Sequence, residues 1–333
     1  MIVDELINNF IKNSLHDSYK LSKLTGDAST REYYRISSSG RSYILCIDDK
    51  LKGISSKEYT YCIVHDIFKK RGIPVPEIYS IDEKAGAILL QDLGDSLLEL
   101  KYKSMSKTAR IDLYSELTHT VAEIQFIDGD AKTVPFSLSF DVPKLMYEFD
   151  FFIDHALLAY FKADISGDLL DELRNEFNKI SLILYQPELF VLNHRDFHSR
   201  NIMIESGKLY LIDFQDARMG LPHYDLVSLL RDSYLRLDDS LVTKLKKKHY
   251  NTLKAGGYSR MDYDEYEYYF DIMAFQRNVK ALGTFGYQLT SLGKNQYQKY
   301  IMPTIAYLKD YIKRRSELSG ATGILKRFIE VDW

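Results

Sequence analysis

Three oxygen-bearing side chains stand at the ends of short apolar runs between residues 189 and 213. Asp196 and Asn201 flank a loop within LNHRDFHSRNIM, and Asp213 closes the run KLYLID. An aspartate and an asparagine beside apolar runs are common in ordinary turns, so that pair alone says little. A second aspartate after a short hairpin says more. Such a hairpin can bring Asp213 back near Asn201, so that a carboxylate and an amide oxygen meet at one point. Hard oxygen ligands, few in number, suit Mg²⁺ bound together with substrate phosphates. Asp196 is then left to orient a hydroxyl and accept its proton, a division of labour that belongs to phosphoryl transfer.

The elements that must hold these residues fall into two groups with different periods. In the first hundred residues LSKLTG, REYYRIS and RSYILCID alternate between turn residues and predict an antiparallel meander. SSKEYTYCIVHDIFKKRG follows, with serines at its start, basic residues in its last turn and Gly72 beyond, which predicts a helix with both ends marked. PEIYSID and GAILLQDLG are two more strand candidates. From about residue 107 the pattern is helical, interrupted by the short apolar pieces at 189–213. The fold class expected is α+β: a small antiparallel-sheet domain over 1–93, a hinge near Gln91 to Gly94, and a larger helical domain over 94–333.

The 333 residues exceed what one hydrophobic core usually serves. A net charge of −3 indicates no basic stripe for a polyanion, so no nucleic-acid partner is expected. Apolar runs are too short to span a bilayer, and the opening MIVDELINNFIKNSL reads as an amphipathic helix, not a secretory leader. Cys46 and Cys62, with no metal-ligand spacing around them, fit a reducing compartment. The expectation is a cytoplasmic protein with no membrane partner. The 26 tyrosines recur at helical spacing in MDYDEYEYYFDIMAF and read as half-buried side chains on helices.

HRDFHSRN and LIDFQD together resemble the catalytic and metal-binding loops of the protein-kinase-like superfamily, and more narrowly its aminoglycoside phosphotransferase-like branch. GDASTREYYRI, LLQDLGD, DFQDARMGLPHYDLVSLLRDSY and QRNVKALGTF are similar to one subgroup of that branch, the bacterial kinases that phosphorylate the anomeric hydroxyl of N-acetylmuramate and N-acetylglucosamine. The likeness runs from Gly26 to about Phe285. It implies a bilobal protein-kinase-like fold, with ATP (or GTP) and Mg²⁺ as co-substrate and cofactor and a small sugar as acceptor.

The resemblance also implies roles. Asp196 is the catalytic base, and Asn201 and Asp213 are the magnesium ligands. His194 and Arg195 brace the loop, and Asp225 supports it from beneath, although an acid near a helix start is also favourable by itself. On the nucleotide side, Gly26, Ala28, Ser29 and Thr30 could present backbone N–H groups to phosphate. Backbone groups around Gln91 to Leu93 would hold the adenine edge. One departure stands out: aligning SYILCID with the third strand of a kinase puts Cys46 where the phosphate-gripping lysine belongs. Arg31 and Arg35 are the candidate substitutes, since a guanidinium binds phosphate bidentately. Glu58 falls where that lysine's glutamate partner would lie. For the acceptor, Asp216, Arg218, His223 and Arg231 are expected to line the cleft, with Gln276 to Lys280 facing it. The run from Asp213 to Asp225 is short and contains no Ala-Pro-Glu, so a small-molecule acceptor is expected over a peptide.

Two other readings stay open at this point. One is a kinase for a different small hydroxyl compound, such as an aminoglycoside, choline or another sugar. The other is a nucleotide-binding pseudokinase scaffold, which the missing lysine motivates and the intact Asp196, Asn201 and Asp213 oppose.

Overall fold

The structure is a computed structural model that describes residues 5–24 and 31–330. Gly26, Ser29 and Thr30, expected to meet phosphate, lie outside the described residues, as does Ala28. By its internal contacts the chain divides into two units, one running up to Lys101 and including Asn201–Asp216, the other Tyr102–Arg200 with Ala217 onward.

The first unit opens with α1 (Glu5–Leu15), whose Ile7, Phe10 and Ile11 share one buried face at helical spacing. The strands β1 (Lys20–Leu24), β2 (Glu32–Ser38), β3 (Arg41–Ile47), β4 (Ile78–Asp82) and β5 (Ala87–Gln91) form one antiparallel sheet in the order β1-β2-β3-β5-β4. The apolar face of α1 packs against Tyr34, Ile36, Leu45 and Leu89 of that sheet. Ser39 and Gly40 connect β2 to β3, both at positive φ, the backbone that a two-residue hairpin requires. Between β3 and β4, α2 (Thr60–Lys70) starts later than its serines suggest. Ser55 to Glu58 form a turn, and Glu58 is exposed ahead of the helix, so it is no counterpart of a glutamate on a buried helix face. The short α3 (Leu98–Lys101) ends this stretch.

The next three helices are α4 (Lys107–Gln125), α5 (Val142–Phe152) and α6 (Gly167–Leu184). Each begins at an N-cap, Ser106, Asp141 or Ser166, whose side chain accepts an amide proton of the first turn. α5 continues without a break into a π-helical stretch, Ile153–Tyr160. Two short antiparallel pairs follow. β6 (Val191–Asn193) pairs with β9 (Arg218–Gly220), and between them in the chain β7 (Ile202–Glu205) pairs with β8 (Lys208–Leu211).

By its contacts the first unit runs to Lys101 and takes in the β7–β8 hairpin, to which the chain returns. Backbone hydrogen bonds explain the return: Ile204 N–H donates to the Ser96 carbonyl and Leu211 N–H to that of Pro74. Phe214, fully buried, packs with its ring tilted against those of Tyr61 and Phe68 of α2.

The remaining helices are α7 (His223–Leu230), α8 (Asp239–Ala255), α9 (Tyr263–Thr290), α10 (Ile301–Arg314) and α11 (Ser319–Leu325). α9 is the axis of the second unit and starts in a capping box between Asp262 and Glu265. Where it crosses the α5 segment there is no room for side chains. A Cβ on Gly283 would lie 2.8 Å from Phe152 Cα, and one on Gly286 2.3 Å from the His155 carbonyl oxygen. Among the described residues no helix is long and apolar enough to cross a membrane.

Candidate active site

Asp196 sits in the loop that leaves β6, and the second unit holds this loop from two sides. Asp225, fully buried on α7, accepts the main-chain N–H of His194 at 2.5 Å and that of Arg195 at 2.9 Å. Asp232, just past the end of α7, accepts the N–H of Ser199 at 2.9 Å. Arg195 has φ 87°, a backbone conformation that a non-glycine residue adopts only when its surroundings enforce it. Burial pushes the Asp225 carboxyl up to about 7, against the two amides that favour its charged form.

Around Asp196 the second unit gathers positive charge. Lys280 Nζ donates to Asp196 Oδ1 at 3.0 Å, Arg277 Nη2 lies 3.6 Å from the same oxygen, and Arg195 Nε lies 3.8 Å from Oδ2. Desolvation opposes ionisation of Asp196, but Lys280 first, then Arg195 and Arg277, outweigh it and hold the carboxyl well below the usual carboxylate range. Arg277 is itself anchored by Ser228 Oγ at 3.0 Å and the Tyr224 hydroxyl at 2.5 Å. Buried Glu148 of α5 accepts from Gln276 Nε2 at 2.8 Å and balances the cations. His198 is pushed down to about 3 by burial, so it adds no positive charge here at neutral pH.

In the first unit, the β7–β8 hairpin turns at Ser206 and Gly207, both at positive φ. Its strands register Ile202 against Leu211, and Ile212 N–H donates to the Asn201 carbonyl at 3.0 Å. Asn201 therefore lies across the hairpin from Ile212, one residue before Asp213. The Asp213 side chain is exposed at φ 65°, and its Oδ1 accepts from Gln215 Nε2 at 2.9 Å. Among the described residues no three or more His, Cys, Asp or Glu side chains are grouped to hold a metal ion. The donors on this hairpin are one carboxylate and one amide oxygen, which suits a hard cation that takes its other ligands from water and phosphate.

Cys46 is buried in β3 opposite Tyr33 of β2, and burial pushes its thiol up to about 12, so it supplies no charge to a nucleotide. Arg31 Nε donates to Asp48 Oδ2 at 2.9 Å, and the Tyr59 hydroxyl donates to the same oxygen at 2.5 Å. The Arg31 guanidinium also lies 5.8 Å from the centre of the Tyr61 ring. Arg35 is placed differently. Its Nε and Nη2 donate to Asp92 at 2.7 and 3.1 Å, and its Nη1 and Nη2 donate to Asp95 at 3.0 and 2.8 Å. Two carboxylates fill the guanidinium fork, so Arg35 fastens the turn after β5 to β2 and is not presented to a phosphate. Gln91 closes β5 with its side chain accepting from Glu77 N–H, and Leu93 is buried in the turn.

Two of the four residues expected to meet the acceptor are elsewhere. His223 is fully buried at the start of α7 with its ring 4.5 Å from that of Tyr266, and burial holds it well below the ordinary histidine range. Arg231 is buried against Tyr307 and donates to Asp239 Oδ1 at 2.7 Å, joining the end of α7 to the start of α8. Asp216 and Arg218 are half-buried, Arg218 lying over the Phe140 ring. Glu148 carries no signal in the sequence, because its partner Gln276 lies far along the chain, and Asp232, although within LLRDSY, has nothing local to mark Ser199 as its partner.

Residues 20–262 match the phosphotransferase enzyme family. The chain belongs to that family. It is similar to two proteins named N-acetylmuramate/N-acetylglucosamine kinase. The one from Neisseria meningitidis serogroup B is 27% identical over 93% of this chain and 91% of its own length. The one from Pseudomonas putida is 24% identical over 95% and 91%. Among solved structures, the gentamicin complex of APH(2'')-IIa has a TM-score of 0.62 at 14% identity, covering 92% of this chain and 96% of that one. ADP-bound aminoglycoside phosphotransferase APH(2'')-Ib has a TM-score of 0.60 at 13% identity, covering 92% and 99%. The fold of this phosphotransferase is thus the α+β protein-kinase-like one, with the sheet and the helices that the resemblance implies.

Proposed function

We propose that this phosphotransferase moves the γ-phosphoryl group of ATP to the anomeric hydroxyl of an amino sugar, N-acetylmuramate or N-acetylglucosamine, in the recycling of cell-wall sugars. The substrate assignment is supported by the names of the relatives that match over nearly the whole chain. The observation that carries the chemistry is Asp196: a carboxylate held ionised by Lys280, on a loop that Asp225 and Asp232 fix in place.

In this reading Asp196 accepts a hydrogen bond from the acceptor hydroxyl, directs its lone pair at phosphorus and takes up the proton as the new P–O bond forms and the bond from the γ-phosphorus to the bridging oxygen breaks, ADP being the leaving group. A carboxylate so far below its usual range is a weak base, so Asp196 contributes more by orientation than by early proton removal. Asn201 and Asp213 are the residues that would hold Mg²⁺, which when bound neutralises charge on the phosphate oxygens. Arg31 is the candidate for the phosphate contact that Cys46 does not make. Backbone groups of Gln91 to Leu93 take the adenine edge. Asp216 and Arg218 are the acceptor-side candidates, His223 and Arg231 being buried away from solvent.

The test is nucleotide turnover by the full chain with ATP and with GTP, offered N-acetylmuramate, N-acetylglucosamine, choline and a set of aminoglycosides. Turnover with the amino sugars, and a loss of 10²–10⁴-fold in Asp196→Asn, is the expected result. Faster turnover with an aminoglycoside or choline would replace the acceptor. Tight nucleotide binding with no turnover on any of them would favour a regulatory scaffold.

A further inference from the structure

We infer that Lys280 is the positioning residue of Asp196, supplied by α9 from a point 84 residues further along the chain. This rests on the reading of Asp196 as the acting carboxylate.

Two cations of α9 reach the same carboxylate oxygen, because Arg277 and Lys280 are three residues apart and share one helix face. Their circumstances differ. Arg277 is buried, with its Nε on Ser228 and Nη1 on Tyr224, and its guanidinium lies 4.2 Å over the Tyr224 ring. It stands 3.6 Å from Oδ1, so it supplies charge at that point but no close hydrogen bond. Lys280 is nearer, at 3.0 Å, and its side chain keeps 17% of its surface exposed, as Asp196 keeps 19%. Arg277 and Arg195 also bring positive charge to Asp196, with Glu148 opposite, so charge is not particular to Lys280. The contribution particular to Lys280 is direction. A charge-assisted hydrogen bond on Oδ1 pins rotation of the carboxylate about its Cβ–Cγ bond. With Oδ1 pinned and the loop backbone held by Asp225 and Asp232, the angle at which Asp196 meets a hydroxyl is set by main chain and side chain together. The residue two beyond Asp196 offers no second positive hand, since His198 is half-buried and neutral.

α9 also has the rigidity that such a part needs. Gly283 and Gly286, on the turns that follow Lys280, let the helix lie directly on the backbone at Phe152 and His155. Lys280 therefore projects from an element that cannot shift without breaking close backbone contact.

A double-mutant cycle tests the inference, with steady-state rates and nucleotide binding measured on the full chain for Lys280→Met, Asp196→Asn and the pair. Lys280→Met should lower kcat by about 10- to 100-fold, with acceptor KM and nucleotide Kd within about threefold of the parent. In the Asp196→Asn background the same change should alter kcat by less than about threefold, because an amide held by Lys280 still cannot take the proton. If Lys280→Met fails to fold, Lys280→Gln is held to the same two outcomes. Parental kcat in the single variant would overturn the inference. So would an equal loss in both backgrounds, which makes Lys280 an independent participant, or a loss confined to acceptor KM, which makes it a binding residue. Parental activity of Asp196→Asn would instead remove the underlying reading of Asp196.

Discussion

The N–H of Arg195 donates to Asp225 Oδ1 at 2.9 Å while Arg195 itself sits at φ 87°. A buried carboxylate is thus paired with a backbone turn that would otherwise be unfavourable. The polarity of a helix acid is used to shape a loop 30 residues earlier in the chain. An asparagine at this position has one acceptor oxygen for two amides. Asp225→Asn should therefore lower unfolding free energy by about 1–3 kcal/mol and reduce kcat at least about tenfold. Denaturant melts and steady-state rates on one preparation check both; a stability loss with unchanged kcat would confine Asp225 to folding.

The ion pairs around Asp196 make a prediction with a definite sign. Its folded carboxyl is held below the unfolded value, so its stabilising contribution is full above the ordinary carboxylate pKa of about 3.9 and is lost as pH falls from there toward the depressed folded value. Asp196→Asn removes that contribution. The parent should be more stable than Asp196→Asn at pH 7 and at pH 5, with the gap closing only below about pH 4. Parallel denaturation curves at three pH values measure it. A gap that closes already between pH 7 and 5 would contradict the charge arrangement.

Arg31 and Arg35 should separate in nucleotide binding. Arg31 gives its Nε to Asp48, whereas two carboxylates, Asp92 and Asp95, fill the Arg35 fork. Arg31→Met is expected to raise the nucleotide Kd about tenfold or more, the size of one charge-assisted hydrogen bond. Arg35→Met should leave it within about threefold. Titration calorimetry with a non-hydrolysable nucleotide decides, and equal losses would return Arg35 to the phosphate site.

The crossing of α9 over the α5 segment should tolerate no methyl group at Gly286. A Cβ there meets the His155 carbonyl oxygen at 2.3 Å, which requires backbone movement. Gly286→Ala is expected to cost about 1–3 kcal/mol and to lower the melting temperature, although alanine is the better helix former elsewhere.

What the sequence makes legible here follows the range of the interactions. The meander, the long helices and the hairpin between Asn201 and Asp213 are written in local alternation and turn residues, which separate a sheet part from a helical part, whereas the protein-kinase-like fold is implied by the resemblance of the two loops. The stretch Gln276 to Lys280 is assigned to the cleft by the resemblance, but its pairing with Asp196 is not legible, because Lys280 and Arg277 meet that residue only once α9 is packed. His223 and Arg231 show the opposite error. Polar residues in a segment near candidate ligands suggest an open surface, yet α7 is buried along its whole length and draws both inward. Arg35 misleads for a third reason: a free guanidinium and one already filled by two aspartates look alike in one dimension.

Cys46 has a use beyond marking an absent lysine. It and Cys62 are the chain's two thiols, both buried in the sheet-bearing unit, and burial raises them to about 12 and about 11. Thiolate is the species that alkylates, so the folded protein should be almost inert to a maleimide near neutral pH. Any labelling that does occur reports an opening of that unit, by itself or together with the rest of the chain, since the second unit contains no cysteine. The protein thus has an intrinsic probe of its sheet-bearing unit, with no residue changed: labelling faster than global unfolding marks an opening confined to that unit.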